Sequence, residues 1–542
     1  MITTRRGRRL RPLSLLAAAS AALLLAACAG PATTAAPDGE RQLVIARAMD
    51  LTTLDPHVGY CDTCQIIFDA MYQTLVVADP DNPGEVLPQL AESWEVNDDA
   101  TQFTFHLDPD AVFSDGSPVE ASDVKFSWDR FINLQGNGSF LGAGITAIDT
   151  PDSATVVFSF AEPNSVFLSI AAARFPGIVN ADVVREAGGT DAADAATTDS
   201  AEEWFLKNSA GSGPYQLASY TEGSSIELTA NPDYWGDAVG FSDVLIKEVS
   251  DSSSQLQQLQ QGDVDIAMQI SPDALDQLSG VSNVTTSLED SYNFVYLVLQ
   301  AGATGGEALD DVRVRKAIRA GIDYDKVIDA TVAGKGKTQG SPIPNGFAGS
   351  ESVDQPVHDP DEARKLLAEA GYADGITLTA AYPKFTVYGV DFDVMMQSIQ
   401  QDLAEVGVTL QLESLDYTQW AQRVRDDDGI PVSAVYFAPD YMDSSGYVSY
   451  FGMIPDSRWS SRAGANGPLV NQVEVDGLAA AFTQDAAARA ETYAAVAKAM
   501  ADDAVVLPIV NPQLVFAYAS DIEGVTFVPN TILNLASIRL KD

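Results

Sequence analysis

Residues 87–131 read LPQLAESWEVNDDATQFTFHLDPDAVFSDGSPVEASDVKFSWDRF. Trp94, Val96, Phe103, Phe105 and Leu107 fall at alternate positions, the period of a strand with one buried face. Ser114-Asp115-Gly116-Ser117-Pro118 is turn chemistry, mixing side chains that bond their own backbone with Gly and Pro. Ser122 and Asp123 are placed to cap a helix that carries Val124, Phe126, Trp128 and Phe131. Two strands and a turn feeding a helix predict mixed α and β structure with an aromatic core.

Upstream, Leu43–Ala46 reads as a first strand, and residues 66–77 as a helix with Ile67, Ala70, Met71, Thr74 and Leu75 on one side. Downstream, residues 154–160 alternate as a strand. Residues 185–200, REAGGTDAADAATTDS, lack aliphatic periodicity and read as an exposed loop or a lobe boundary. A helix at 253–261, a strand at 263–268 and a Ser271-Pro272 helix start follow, the alternation of an α/β domain. The pattern restarts at Tyr292–Gln300, an apolar run suited to a buried strand. Asp311 opens a helix read through to Ile328, and Asp359-Pro360 opens another, with Ala363, Leu366, Leu367 and Ala370 on one face and Gly371 closing it. A strand at 376–381, a helix striped by Phe392, Met395, Met396, Ile399, Leu403 and Val406, and a strand at 408–415 make a βαβ unit and predict a second α/β lobe. Residues 505–510 are one more buried strand.

The N-terminus speaks to compartment. MITTRRGRRLR carries five arginines and no acid, and the apolar run from Pro12 to Ala27 ends in Leu25-Ala26-Ala27-Cys28. This is the make-up of a secretory leader, residues 1–27, too short for a spanning helix of roughly 20 apolar residues. Residues 28–41 have the small, polar, Pro-containing composition of a flexible tether. The formal charge of −45 moves to −50 when the five leader arginines leave. Nucleic acid and acidic membrane faces, which require clustered Lys and Arg, are therefore poor partners. Cys61 and Cys64 form a C-x-x-C pair, for which an exported chain predicts a disulfide. Free thiols and a metal site are the alternatives, and a zinc site lacks a further ligand beyond His57.

No catalytic motif accompanies the histidines, His57, His106 and His358, so neither an enzyme nor a cofactor is expected. Gly334-Lys-Gly-Lys-Thr338 fails the phosphate-loop spacing, because Thr331 stands where the first glycine belongs, and reads as a surface loop. Asp79 and Asp81, and Asp426-Asp427-Asp428, lack calcium-loop spacing and read as solvated. The ligand candidate is residues 435–443, VYFAPDYMD, an aromatic strand running into two acids. Aromatic faces cover apolar ligand surface, and a fixed carboxylate holds an ammonium by a charge-assisted hydrogen bond. A plain turn with solvated acids is the alternative.

LAESWEV, FTFHL and FSDGSPVEASDVKFS together resemble the signature of the family 5 extracellular solute-binding proteins, the oligopeptide, dipeptide and nickel binders of ABC importers. The Leu54-Asp55-Pro56 loop, GSGPY (211–215), NPDYW (231–235), LQQGDVDIA (259–267), VRKAIRAGIDYDKV (314–327) and DPDEARKLLAEAGY (359–372) are similar to family landmarks in the same order. The resemblance implies a periplasmic-binding-protein-like α/β fold, with two lobes joined by a hinge and the first lobe enlarged by an extra subdomain. The expected partition is a first lobe of 42–78, 205–288 and 508–542, an extra subdomain of 79–204, and a second lobe of 289–507. The Leu-Ala-Ala-Cys ending is similar to a bacterial lipobox and implies lipidation of Cys28. For the site, the resemblance implies that Asp440 holds a peptide α-amino group. The backbones of Tyr436, Phe437 and Ala438 would pair with the peptide main chain, with Asp50, Leu51 and Thr52 from the other lobe. Pro439 and Met442-Asp443-Ser444 depart from the family pattern and loosen that register. His57 and Tyr60 are adjacent candidates with structural readings. The implied role is peptide capture outside the cytoplasmic membrane, for delivery to an ABC permease by a lipid-anchored monomer. A nickel chelate, an opine or a sugar stands as the alternative ligand, and a secreted hydrolase as the rival class.

Overall fold

The computed structural model describes residues 41–541 apart from 52, 81, 83, 279, 385, 426–428, 456, 461–468 and 529–531. The leader, Cys28, Thr52 and Asp426-Asp427-Asp428 lie outside the described residues. Three sheets organise the rest. A seven-stranded sheet runs, in spatial order, Val284–Glu289, Leu514–Ala519, Ile266–Ala267, Leu43–Arg47, Asp243–Glu248, Ser225–Ala230 and Tyr215–Thr221. A six-stranded sheet runs Gly336–Lys337, Val506–Pro512, Phe294–Leu299, Val432–Phe437, Ile376–Pro383 and Val408–Leu415. The stretch 87–131 contributes to a four-stranded antiparallel sheet, Ala91–Val96, Gln102–Leu107, Thr155–Phe160 and Ile145–Asp152.

Phe103, Phe105 and Leu107 face the core as their spacing predicts, but Val96 is 42% exposed, because its strand forms the sheet edge. The helix that follows spans Ala121–Asn133. Its start is set by Glu120, whose N–H donates to Asp123 at 2.9 Å, rather than by Ser122. The helix read at 66–77 lies earlier, at Asp62–Met71, and Val76–Ala78 is a strand. After it, GSGPY runs so close to the helix end that a Cβ on Gly211 would lie 1.9 Å from the Met71 carbonyl oxygen, so only glycine fits.

Phe294–Leu299 is buried along its whole length, each large side chain contributing about 1.5–3 kcal/mol by leaving water. Ile376–Pro383 and Val408–Leu415 pair in parallel around the helix Phe392–Glu405, the βαβ unit the spacing predicts. The helix opened by Asp311 ends at Gly321, and Asp323 caps a new one, Tyr324–Val332, so the single helix read to Ile328 is two. Gly336 and Lys337, read as part of a surface loop, pair with Pro512 and Asn511 at the edge of the six-stranded sheet. Residues 185–200, read as an exposed loop, contain the buried Ala195 and an Asp199 whose carboxylate sits 2.8 Å from Arg130 Nε. Their Ala/Asp composition imitates a linker while the acid serves a distant cation.

The chain crosses between the two large sheets at residues 290–293 and again at Gln513. Position 508 falls inside Val506–Pro512, which pairs on both sides of that position in the six-stranded sheet. The crossings are tied to each other. Asn511 Nδ2 donates to the carbonyls of Ser291 at 2.8 Å and Asn293 at 2.7 Å, and Ser291 Oγ donates to the Pro512 carbonyl at 2.7 Å. Lys337 and Gln513 both donate to Asp290. After the second crossing, Ile522, Val525, Leu533, Leu535 and Ile538 pack into the core beneath the seven-stranded sheet.

Candidate functional site

One wall is the loop after Leu43–Arg47 and the helix Asp62–Met71. Two devices fix it. Arg130, on the helix of the opening stretch, holds Asp55 through two bonds, 2.9 Å from Nη1 and 2.6 Å from Nη2, and its Nε reaches Asp199. His57 completes this node. Its Nε2 donates to the Gly177 carbonyl at 2.9 Å, leaving Nδ1 to accept from Arg130 at 3.1 Å. Burial first, then the Arg130 charge, lower its pKa to about 4, so His57 is a neutral structural residue. The second device is the helix start. Cys61 is its N-cap and is bonded to Cys64 as a disulfide. The Asp50 carboxylate accepts from the N–H groups of Asp62 at 2.8 Å and Thr63 at 2.9 Å, and from Thr63 Oγ1 at 2.5 Å. A negative charge there is favoured by the unpaired N–H groups and the helix dipole. Asp50 thus spends its side chain on the wall, and Leu51 packs, half-buried, against the first core.

The facing wall is Val432–Phe437 and the turn that follows. Tyr436 is half-buried, its ring edge-on to Tyr388 at 5.7 Å. Phe437 is buried among aromatics, with Tyr450 at 4.6 Å and Phe451 at 4.9 Å, so its ring belongs to the core. Ala438 and Pro439 then lead to Asp440. Asp443, the second acid of the motif, is a helix cap: it accepts from the Ser445 N–H and from Tyr493, and lies 3.3 Å from Arg489.

Asp440 reaches across. The Tyr60 hydroxyl donates to its Oδ1 at 2.6 Å, joining chain positions 380 apart. Burial pushes Asp440 up to about 7, opposed by that hydrogen bond and helped by the charge of Asp62. Asp62 is also pushed up to about 7, by burial and then by Asp50, with Arg47 pulling it back. Tyr388 stands over Asp62 from the tight hairpin Thr386–Val387/Val390–Asp391, where it takes φ 51 beside Gly389 at φ 81. A cation admitted here would meet two carboxyl groups whose charged forms burial disfavours, and would restore both. Tyr60, an adjacent candidate with a structural reading in the sequence, meets Asp440 here, whereas His57 is structural; Asp62, Tyr388 and Arg47 carried no local signal beyond a helix start, a turn and a strand end. Among the described residues, no group of three or more His, Cys, Asp or Glu is arranged to hold a metal, and no helix is long and apolar enough to cross a membrane.

Comparison with known proteins identifies the family. The pattern of the "Bacterial extracellular solute-binding proteins, family 5 Middle" matches residues 85–454. A "Probable D,D-dipeptide-binding periplasmic protein" of Escherichia coli K12 is 29% identical over 495 residues, covering 90% of this chain and 92% of that protein. The dipeptide-binding protein of the same organism is 28% identical over 368 residues, 64% of this chain and 66% of its own. Among solved structures, the Helicobacter pylori periplasmic binding protein DppA in complex with the peptide STSA has a TM-score of 0.78 at 21% identity, covering 93% and 98% of the two chains. The agropinic acid complex of AgaA from A. tumefaciens R10 has a TM-score of 0.76 at 24% identity, covering 93% and 99%.

Proposed function

The chain belongs to the bacterial extracellular solute-binding proteins, family 5, and we propose that it is the peptide-capturing member of an ABC importer, delivering its ligand to the transmembrane permease subunits. The observation that carries this reading is the Tyr60–Asp440 contact. It places one half-buried carboxylate between two walls, where it can hold a peptide α-amino group. The relatives named for dipeptide binding support the ligand class. Backbone pairing supplies the rest. Val432–Phe437 is laddered along one edge to Phe294–Leu299, whereas on its other edge the pairing with Ile376–Pro383 is at Ala380–Val432. An edge of this kind takes an added strand and reads main chain rather than side chains. The backbones of Asp50 and Leu51 would pair with the same peptide from the other wall.

The lobes are 42–78, 205–288 and the C-terminal return as the first, 79–204 as its extra subdomain, and the intervening residues as the second. The two crossings, tied by Asn511 and Ser291, are the hinge. Ligand bound to both walls favours closure, and the closed pair of lobes is what a permease reads. Cleavage after Ala27 and lipidation of Cys28 would tether the protein, a monomer, to the outer face of the cytoplasmic membrane. It performs no chemistry on its ligand. Native mass spectrometry of the protein purified under mild conditions tests the reading. The expected result is a retained adduct that fragments as a peptide; an adduct lacking amino-acid fragments would overturn it.

A further inference from the structure

The Cys61–Cys64 bridge is threaded through the cleft wall, not placed behind it. Tyr60 immediately precedes Cys61 and Asp62 immediately follows it. Tyr60 gives its hydroxyl to Asp440 and packs its ring on Phe175, 4.8 Å between centroids. The bridge ties one helical turn to itself: Cys61 is the N-cap, and the Cys64 N–H donates to Cys61 Sγ at 3.0 Å. Closing so short a loop removes little entropy from the unfolded chain, far less than a bridge between distant elements. The surroundings are also held without it. Asp50 accepts from the N–H groups of Asp62 and Thr63, and the turn before Tyr60 is fixed by Val58 and Gly59 donating to the Asp55 carbonyl. As a staple the bridge is nearly redundant; what it fixes without a second device is the link from Tyr60 into the helix. Its two sulfurs also differ in access, since Cys64 is 0% exposed while Cys61 is half-buried.

We propose that Cys61–Cys64 is an exchangeable bridge, opened by a dithiol reductant, whose redox state sets the affinity of the cleft. A thiolate of the dithiol attacks Cys61 Sγ, the S–S bond breaks, and its electron pair leaves on Cys64 Sγ, which takes up a proton. The second thiol of the reductant then displaces Cys61 from the mixed disulfide. The dithiol ends as a disulfide and the protein holds two thiols, with two electrons and two protons transferred. Once the bridge is open, Asp50 still holds the helix start, but Tyr60 loses its anchor on the Cys61 side and meets Asp440 in a smaller fraction of molecules. The effect on affinity rests on the peptide reading, whereas the exchange itself does not.

The test treats the purified, oxidised protein with dithiothreitol under native conditions, then with iodoacetamide, and maps the label by peptide mass. Cys61 and Cys64 should both be labelled without denaturant; labelling that requires denaturant overturns the exchange. Native mass spectrometry with an equimolar pool of free-amine dipeptides then compares the oxidised protein, the protein kept in dithiothreitol, and Cys61→Ser/Cys64→Ser. The two open forms should bind roughly 5–20-fold more weakly than the oxidised form and agree with each other within about threefold. Equal affinity in oxidised and open forms overturns the coupling. If the double variant does not fold, the reduced wild type carries the comparison. If no form binds the pool, the peptide reading falls, and hydrogen exchange of the ligand-free protein decides the coupling. The amides of Cys64 and Gln65, which bond to Cys61, should exchange about tenfold faster after reduction. Unchanged rates there overturn it.

Discussion

Two arginines buried on the same wall are treated in opposite ways. Arg130 and Arg47 are 0% and 4% exposed, and both neighbour the loop after the first strand. Arg130 has every nitrogen committed: Nε to Asp199, Nη1 to Asp55 and His57, Nη2 to both acids. Arg47 has one long bond, one distant acid and one nitrogen without a partner. The first pattern joins the opening stretch to the loop that carries Tyr60 and asks nothing of a ligand. The second, like the elevated carboxyls of Asp62 and Asp440, holds polar capacity in reserve inside a cleft. Arg130 is spent on scaffold, while Arg47 lines a cavity with donor capacity unused.

This contrast can be broken by substitution. Arg130→Met leaves Asp55 and Asp199 buried without their cation and should cost about 3–5 kcal/mol in denaturant unfolding. A loss below about 1 kcal/mol would mean that the node is not the clamp described. The next effect is one of pH. Asp440 and Asp62, raised to about 7, keep protons in the folded protein that the unfolded chain releases above about pH 4. Their contribution to stability is whole below that pH and is lost as pH rises through 7. Ligand-free Asp440→Asn should therefore gain on the wild type between about pH 5 and pH 8, by about 1–3 °C in Tm at the upper end. A difference in Tm that stays constant across that range would place the Asp440 carboxyl in ordinary water. Arg47→Gln, in contrast to Arg130, should change the stability of the ligand-free protein by less than about 1 kcal/mol, since little pairing is lost. A cost equal to that of Arg130→Met would erase the distinction. Smallest of all, Tyr60→Phe removes one neutral donor from Asp440 and should raise the carboxyl pKa further, read by NMR titration of that side chain; a fall would contradict the contact.

Much of this architecture was legible locally. Phe294–Leu299, the Asp359-Pro360 helix start and the βαβ unit at 376–415 follow from apolar period and caps that act within a few residues. Edge position was not legible: Val96 alternates like a core residue, and only the sheet order exposes it. Nor were long-range polar pairings. Arg130 and Asp199 lie 69 positions apart, the second inside a segment whose composition imitates a linker. The segment 435–443 could be singled out by its aromatic strand and two acids, and the family resemblance chose Asp440 between them, but the contact with Tyr60 spans 380 positions and leaves no periodic trace. Arg47 and Asn293 are a strand end and a crossing residue in the sequence, and come together only where a cavity joins them. The stretch 87–131 identified the kind of protein and, through Arg130, braces the wall from which Tyr60 reaches.

The central claim, that Asp440 anchors a peptide α-amino group between the walls, is tested most directly by calorimetric titration of wild type and Asp440→Asn with free-amine dipeptides and their N-acetylated counterparts. The variant should lose roughly 30-fold or more in affinity for the free amines, as expected for a desolvated charge pair with one partner removed, and less than about threefold for the acetylated forms. An equal loss for both would contradict the claim.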